Sequence, residues 1–331
     1  MKKVVDSVGI DVSKLTIDVH IYHLKIHSVF ANKKSGFIEM EKWIRKQGLS
    51  PSKVLYCFEN TGWYSMMLSY FFYGLSRFYV CENALEIKRS IGLKREKSDK
   101  ADASNIAHYA WLRREELECS VPPTEKLIEL HRMMSLRDQL TKQIVSLKNM
   151  KHGMLPVTSS PSTDRTITIL EQSLSSLVKQ LKKIDKEMEL LISQEVEMKR
   201  NYELVLSVRG VGKVLATQLI LHTHNFTCFE NARQFSAYCG LAPYPFQSGT
   251  SIKGKPRIHS IGDKKMKSLI NTCAVSAVQH DKELRAYYQR RIEEGKPKML
   301  VLNIIRNKII TRAFAVIKRG TPFVELNQHA A

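Results

Sequence analysis

Apolar positions in the first 120 residues follow two spacings that alternate along the chain. Thr16–Ile21 alternates apolar and polar residues with the period of a half-buried strand, whereas 54–58 is continuously apolar, as in a central strand covered on both faces. Further strands are predicted from Val8 onward, at 25–31 and at 78–81.

Helical spacing fills the intervals between these strands, from Ser35, over 63–73 and over about 100–112. The resulting order is three strands, helix, strand, helix, strand, helix. This order predicts an α/β layer with a mixed sheet, which we assign to a first domain over 1–120.

The next region, 121–200, is predicted to be helical throughout. A helix over 125–151 is followed at 153–164 by a break rich in Pro, Ser and Thr. The second helix carries a heptad seam of seven apolar residues: Leu170, Leu174, Leu177, Leu181, Ile184, Met188 and Leu191. The seam is compatible with a helical hairpin, with a coiled coil between subunits, or with two helices packed on their own domain.

The last region, 201–331, is predicted to be mainly α-helical. It opens with a Gly-x-Gly-Lys turn before a helix, similar to a helix–hairpin–helix element, whose amides would face a DNA phosphate. The nucleic-acid contacts predicted there are Arg209, Gly210, Gly212 and Lys213. A structural helix turn would give the same pattern. A Pro/Gly/Ser-rich loop is predicted at 238–255, and a helical tail at 269–316.

The charge of the chain points to a polyanionic partner. Lys and Arg number 52 against 32 Asp and Glu, which gives a net charge of +20. Nucleic acid is the expected partner, and a membrane is not, because no apolar run approaches the ~18 residues of a spanning helix. The six cysteines include no CxxC pair and are expected to be buried thiols in a reducing cytoplasm.

Two carboxylates, Asp99 and Asp102, stand three residues apart at the predicted start of a helix and project from one helical face. Six basic residues lie at or just before this point: Lys88, Arg89, Lys94, Arg95, Lys97 and Lys100. A carboxylate pair in a basic field suits a divalent metal held against a phosphate backbone. The competing interpretation is an N-capping Asp with a second acid in the first turn.

Two further acids end predicted strands. Asp11 is near the end of the first strand, and Glu59 ends the fourth. If these strands are neighbours at the centre of the sheet, Asp11 and Glu59 converge, and the helix that begins at Asp99 can pack beside them.

Three segments resemble the DEDD signature of one transposase family: Gly9-Ile10-Asp11-Val12-Ser13-Lys14, Phe58-Glu59-Asn60-Thr61-Gly62 and Asp99-Lys100-Ala101-Asp102-Ala103. The family comprises insertion-sequence transposases related to the Piv DNA invertases. The resemblance implies an RNase H-like, RuvC-like first domain in which Asp11, Glu59, Asp99 and Asp102 bind Mg²⁺, with Mn²⁺ as a possible substitute. It also implies guidance by a structured bridge RNA.

The second conserved domain of the same family resembles Gly240-Leu241-Ala242-Pro243, Gln247-Ser248-Gly249 and Ile261-Gly262. The resemblance implies a serine nucleophile in this loop; Ser248 fits best, and Ser251 is the fallback. Basic residues follow it, and Lys253, Lys255 and Arg257 are predicted to contact nucleic acid, as are Lys94, Arg95, Lys97 and Lys100 of the first domain.

The resemblance therefore implies a recombinase that cleaves and rejoins DNA through a phosphoserine–DNA intermediate. Its partners would be donor and target DNA, a non-coding bridge RNA, and further copies of itself as a dimer or an active tetramer. Two alternative functions are compatible with parts of this sequence pattern. A junction-resolving nuclease would use the four acids with water, and a non-catalytic nucleic-acid-binding protein would use the charge alone.

Overall fold

A computed structural model describes residues 4–92, 98–155, 164–248, 252–259 and 261–324. The chain divides into two compact units, 1–123 and 124–331. The three-domain division made from the sequence stays a prediction.

The first unit is built on a five-stranded sheet with the strand order β3-β2-β1-β4-β5. Its strands are β1 (Asp6–Val12), β2 (Thr16–Ile21), β3 (Ile26–Ala31), β4 (Val54–Glu59) and β5 (Phe78–Glu82). β2 is antiparallel to both β1 and β3, whereas β4 is parallel to both β1 and β5. The sheet is therefore mixed, as predicted, and its first and fourth strands are neighbours at the centre.

Helices cover both faces of this sheet: α1 (Lys34–Lys46), α2 (Trp63–Gly74), α3 (Ala84–Ile91) and α4 (Asp99–Leu112). Strand β4 shows why its sequence is continuously apolar. Tyr56 and Phe58 pack in one hydrophobic core with Phe72 of α2, while Leu55 and Cys57 pack in a second core with α3 and α4. Every second residue thus faces a different layer of helices.

The second unit begins with two long helices, α5 (Glu125–Met154) and α6 (Arg165–Ser193). Two ion pairs join these helices, Arg137–Asp185 at 2.7 Å and Lys151–Glu171 at 2.5 Å, and Lys126 pairs at 2.8 Å with Glu195, just after α6. Because the partner's number falls as the α5 number rises, the helices run antiparallel as a hairpin. A coiled coil between subunits stays a prediction.

The helical hairpin leads into a largely helical body with one β-hairpin. Its elements are α7 (Val196–Leu206), α8 (Lys213–His222), α9 (Ala232–Tyr238), β6 (Pro243–Ser248), β7 (Ile252–Ile258), α10 (Lys264–His280), α11 (Lys282–Glu293) and α12 (Lys298–Arg319). One continuous core joins α5 and α6 to this body, with Val205, Ile220 and Ile305 among its buried residues.

The sequence prediction of an irregular loop over 238–255 was wrong for most of that segment. Pro243–Ser248 and Ile252–Ile258 form an antiparallel pair, with Tyr244 opposite Arg257 and Ser248 opposite Ile252. Prolines, which suggested a loop, are compatible with a two-stranded ribbon because each strand has an edge where no N–H is needed.

Among the described residues, no helix combines the length and the apolarity needed to span a membrane.

Candidate active site

Parallel pairing places Asp11 and Glu59 at the same edge of the sheet. Ile10 of β1 is in register with Phe58 of β4, so the next residue in each strand is one of the two acids. On the other side of β1, Asp11 is paired with Asp18 of β2. The convergence expected from the two strand ends is therefore present.

Helix α4 lies directly against β1 because two small residues of the strand allow it. A Cβ atom added to Gly9 would lie 2.2 Å from the carbonyl oxygen of Ala103 and 2.2 Å from the amide nitrogen of Ala107. The Ser7 hydroxyl donates to the Ala107 carbonyl oxygen at 2.7 Å. The helix thus begins beside the end of β1, and its first turn carries Asp99 and Asp102 to the edge that holds Asp11.

Neither of these acids is the N-cap of α4. Ser98 occupies that position, and its hydroxyl accepts a hydrogen bond from the Ala101 amide at 3.2 Å. Asp99 and Asp102 both belong to the first turn. The capping interpretation of Asp99 was therefore wrong; the helix dipole still favours acids here.

The pKa of Asp11 records how these carboxylates act on one another. It is raised from 3.8 to about 6, first by burial and then by the charges of Asp102, Asp99, Asp18 and Glu59. Each neighbouring negative charge disfavours ionisation of Asp11.

The pKa of Glu59 is also raised, first by burial and then by Asp102, while Lys88 lowers it. All four acids predicted from the sequence are therefore electrostatically coupled at one edge of the sheet. Lys88, one of the basic residues noted in the sequence, acts on Glu59.

Asp18 is a fifth acid at this edge that sequence reasoning missed. It is only 9% exposed, and one of its carboxylate oxygens lies 2.7 Å from Nε2 of His27. The sequence shows only a charged residue inside the alternating strand Thr16–Ile21; its place opposite Asp11 is given by the strand register.

The donor set suits a hard divalent cation, because it contains only carboxylate oxygens whose mutual repulsion a cation would relieve. Within the described ranges, no three His, Cys, Asp or Glu side chains converge closely enough to enclose a metal ion. The acids are thus assembled at one edge without a closed coordination shell.

The other predicted nucleic-acid contacts of the first unit have different outcomes. Lys100 is exposed in the first turn of α4. Lys94, Arg95 and Lys97 lie outside the described residues.

The predicted nucleophile belongs to the second unit. Ser248 is the last residue of β6, and its backbone pairs with Ile252 at the end of the hairpin. The fallback, Ser251, lies outside the described residues. Lys253 is paired with Gln247 on the facing strand, and Arg257 is exposed.

Lys255 belongs to the same strand, β7. The three predicted cations of this region thus stand on one strand of the hairpin that carries Ser248.

The glycine turn between α7 and α8 has a packing reason. Gly210 has φ +86°, and a Cβ atom there would lie 2.7 Å from Cβ of Ala277. Gly212 is the N-cap of α8, and Lys213 forms an ion pair with Glu189 at 2.7 Å. Close packing on α10 therefore explains Gly210, while phosphate contacts by Arg209, Gly212 and Lys213 stay a prediction.

Two family models match this chain in separate segments. A transposase model for the DEDD transposases of IS110 matches residues 8–159, which include all four predicted acids. A model described as "Transposase IS116/IS110/IS902 family" matches residues 202–289, which include the Ser248 hairpin.

A mixed sheet with acids at one edge, matched by a DEDD transposase model, defines an RNase H-like DNA transposase or recombinase. The chain belongs to the IS110 family of transposases.

Curated relatives agree with this assignment. The pilin gene-inverting proteins of Moraxella bovis and Moraxella lacunata are each 26% identical over 322 residues, which cover 96% of this chain and 97% of theirs. An uncharacterized 43.6 kDa protein of insertion element IS110 from Streptomyces coelicolor is 28% identical over 156 residues, 47% of this chain and 38% of that protein.

Proposed function

We propose that this transposase cleaves and rejoins DNA with two sets of residues: the acids Asp11, Glu59, Asp99 and Asp102, and the serine Ser248. The observation that carries the proposal is the convergence of these acids: parallel pairing brings Asp11 and Glu59 to one end of the sheet, and α4 packs on β1 with Asp99 and Asp102 in its first turn. The charges of the neighbouring acids raise the pKa of Asp11, and perturbed carboxylates of this kind cluster at catalytic sites.

A divalent metal, as the DEDD family implies, would be held by these four carboxylates. Mg²⁺ is the proposed ion, with Mn²⁺ as a substitute, and it would supply neutralisation of charge on the phosphate oxygens. The protein gathers the carboxylates at one place, and the cation would relieve the repulsion that raises their pKa values. Lys88 acts in the same direction on Glu59, because its charge lowers the pKa of that carboxyl.

Ser248 is proposed to attack the phosphorus atom of the scissile phosphodiester. A bond forms between Oγ and phosphorus, the bond to one deoxyribose oxygen breaks, and that oxygen leaves with a proton. The serine proton passes to a neighbouring base or to water. The resulting phosphoserine–DNA link conserves the bond energy, and attack by a DNA hydroxyl on the same phosphorus restores the serine and joins new strands.

Acids and serine belong to different compact units, 1–123 and 124–331. We propose that the active form is an oligomer, a dimer or a tetramer, in which one subunit supplies acids to the serine of another. The helical hairpin of α5 and α6 is the proposed assembly element, through its exposed sides, because seam residues such as Ile184, Met188 and Leu191 are already buried within the chain.

The net charge of +20 supports binding of both DNA and a structured bridge RNA. If the RNA reads the target by base pairing, the protein needs little base-specific contact of its own. The names of the Moraxella relatives, pilin gene-inverting proteins, support inversion as one outcome of the rearrangement. Such a protein, acting on DNA of the nucleoid, would belong to the cytoplasm of its cell.

A covalent-adduct assay tests this mechanism. The full-length protein is incubated with labelled DNA of its own element, the accompanying non-coding RNA and Mg²⁺, and then resolved under denaturing conditions. We expect a labelled protein–DNA species that nuclease digestion reduces to phosphoserine. Cleavage without this species would favour the water-dependent resolvase, and absence of any cleavage would favour a binding protein.

A further inference from the structure

Helix α2 has an unusual composition for a helix with an exposed face. Trp63–Gly74 contains no charged side chain, a composition typical of fully buried helices. Yet Trp63, Tyr64 and Met67 in its first turns are 43%, 45% and 52% exposed. Residues at these spacings are neighbours on a helix surface, so they form one continuous apolar and aromatic face.

A buried asparagine joins this face to the turn between β1 and β2. The side-chain amide of Asn32 donates to the carbonyl oxygens of Ser13 at 2.7 Å and Tyr64 at 3.0 Å, and its backbone amide donates to Leu15 at 2.8 Å. Leu15, which is 75% exposed, thereby extends the exposed apolar surface. We call Leu15, Trp63, Tyr64 and Met67 the aromatic rim.

The aromatic rim and the acid cluster lie at the same end of β1 and β4, although α2 packs on the face of the sheet opposite to α4. The turn held by Asn32 follows directly after β1, which contains Asp11, and α2 begins four residues after Glu59. Two exposed cations adjoin the residues that these hydrogen bonds hold: Lys14 precedes Leu15, and Lys33 follows Asn32. Aromatic side chains beside cations are the combination that binds single-stranded nucleic acid.

We propose that the aromatic rim stacks on nucleobases of a DNA strand that is unpaired next to the scissile phosphate, while Lys14 and Lys33 hold flanking phosphates. The inference rests on the proposed cleavage function and adds a requirement for the substrate. A duplex hides the faces of its bases, whereas an unpaired strand offers them to Trp63 and Tyr64. The rim therefore selects DNA that is opened at the cleavage point.

Tryptophan emission tests the stacking directly. The chain has three tryptophans, and the other two lie elsewhere: Trp43 packs against Phe30, and Trp111 stacks near Tyr22. A dT12 oligonucleotide in EDTA is expected to quench the wild-type emission. Trp63→Phe should remove most of that quenching while it retains binding, and Trp111→Phe should keep it.

Affinity for dT12 and for the matching dA12·dT12 duplex gives a second readout, by fluorescence anisotropy in EDTA. Trp63→Ala and Tyr64→Ala are each expected to weaken dT12 binding about ten-fold, within the range for loss of one base–aromatic stack, and duplex binding less than two-fold. Tyr73→Ala is the matched control, since Tyr73 is an equally exposed aromatic, at 54%, near the far end of α2.

Three results would overturn the proposal: unchanged dT12 affinity in both variants, equal losses for dT12 and duplex, or quenching that persists in Trp63→Phe. A fall in oligomer mass of Trp63→Ala by light scattering, with unchanged dT12 binding, would assign the rim to a protein interface instead. Because EDTA prevents metal-dependent cleavage, these outcomes are independent of the adduct assay, and failure of one leaves the other standing.

Discussion

Gly9 of β1 and Ala103 of α4 are in such close contact that a Cβ atom on the glycine would lie 2.2 Å from the alanine carbonyl oxygen. This contact brings the first turn of α4, with Asp99 and Asp102, to the sheet edge where Asp11 and Glu59 end their strands. The geometry of the acid cluster therefore depends on a residue that has no functional group.

Gly9→Ala is expected to destabilise the first unit and to disrupt the acid cluster. The added methyl group must displace the backbone of α4, and overpacking of this kind costs about 1–3 kcal/mol or more. Thermal unfolding measures the loss. Gly74→Ala is the control, because a Cβ there meets nothing within 4 Å, and it should leave the midpoint nearly unchanged. Equal behaviour of the two variants would contradict the packing argument.

The pH dependence of stability should reveal Asp11. Its pKa is raised from 3.8 to about 6 in the folded protein, so the folded state binds more protons in that interval and loses stability as the pH rises through it. In EDTA, Asp11→Asn should be more stable than wild type at pH 8, by up to about 1 kcal/mol after solvent screening, and should lose this advantage at pH 4. Chemical denaturation at both pH values checks the sign.

Divalent metal should stabilise the wild type through the same carboxylates. A ligand at 100 times its Kd stabilises the folded state by about 2.7 kcal/mol, so Mg²⁺ or Mn²⁺ should raise the unfolding midpoint. Asp11→Asn should lose most of this increase. Glu115→Gln, which changes an exposed acid of the same unit, should retain it. A metal-dependent shift that survives Asp11→Asn would place the ion elsewhere.

Ser248→Ala should abolish the covalent protein–DNA species and strand exchange. As a change of a single hydroxyl at the end of a hairpin, it should alter stability by at most about 0.5 kcal/mol and leave RNA binding intact. Ser251→Ala is the matched comparison on the neighbouring candidate. If the Ser248→Ala protein still forms the covalent adduct and the Ser251→Ala protein does not, the nucleophile is Ser251.

Affinity for duplex DNA should fall steeply with salt. A net charge of +20 predicts many phosphate contacts, and each neutralised phosphate contributes about −0.9 to the slope of log K against log salt. Lys253→Ala and Lys255→Ala should each make the slope shallower by about 1 if the hairpin holds phosphates. A slope near zero for wild type would show that the charge serves solubility.

Local sequence patterns predicted the layered part of the fold. The apolar run at 54–58 matches the burial of β4, and the alternation in Thr16–Ile21 correctly predicted a strand. The half-buried character predicted for that strand was wrong, because Asp18 and His20 are buried as well. Local sequence also predicted the acids at the strand ends, the two long middle helices and the family, because each depends on residues that are close together in the chain.

Features that depend on residues distant in sequence emerge in the folded chain and could not be predicted beforehand. The 238–255 segment looked like a loop because proline, glycine and serine are local turn signals, yet cross-strand pairing makes a β-hairpin from its larger part. Asp18 was missed because its role arises from register with Asp11 across a strand pair. Exposure of Trp63 and Tyr64 likewise follows from how α2 packs on the sheet, which its uniformly uncharged sequence does not reveal.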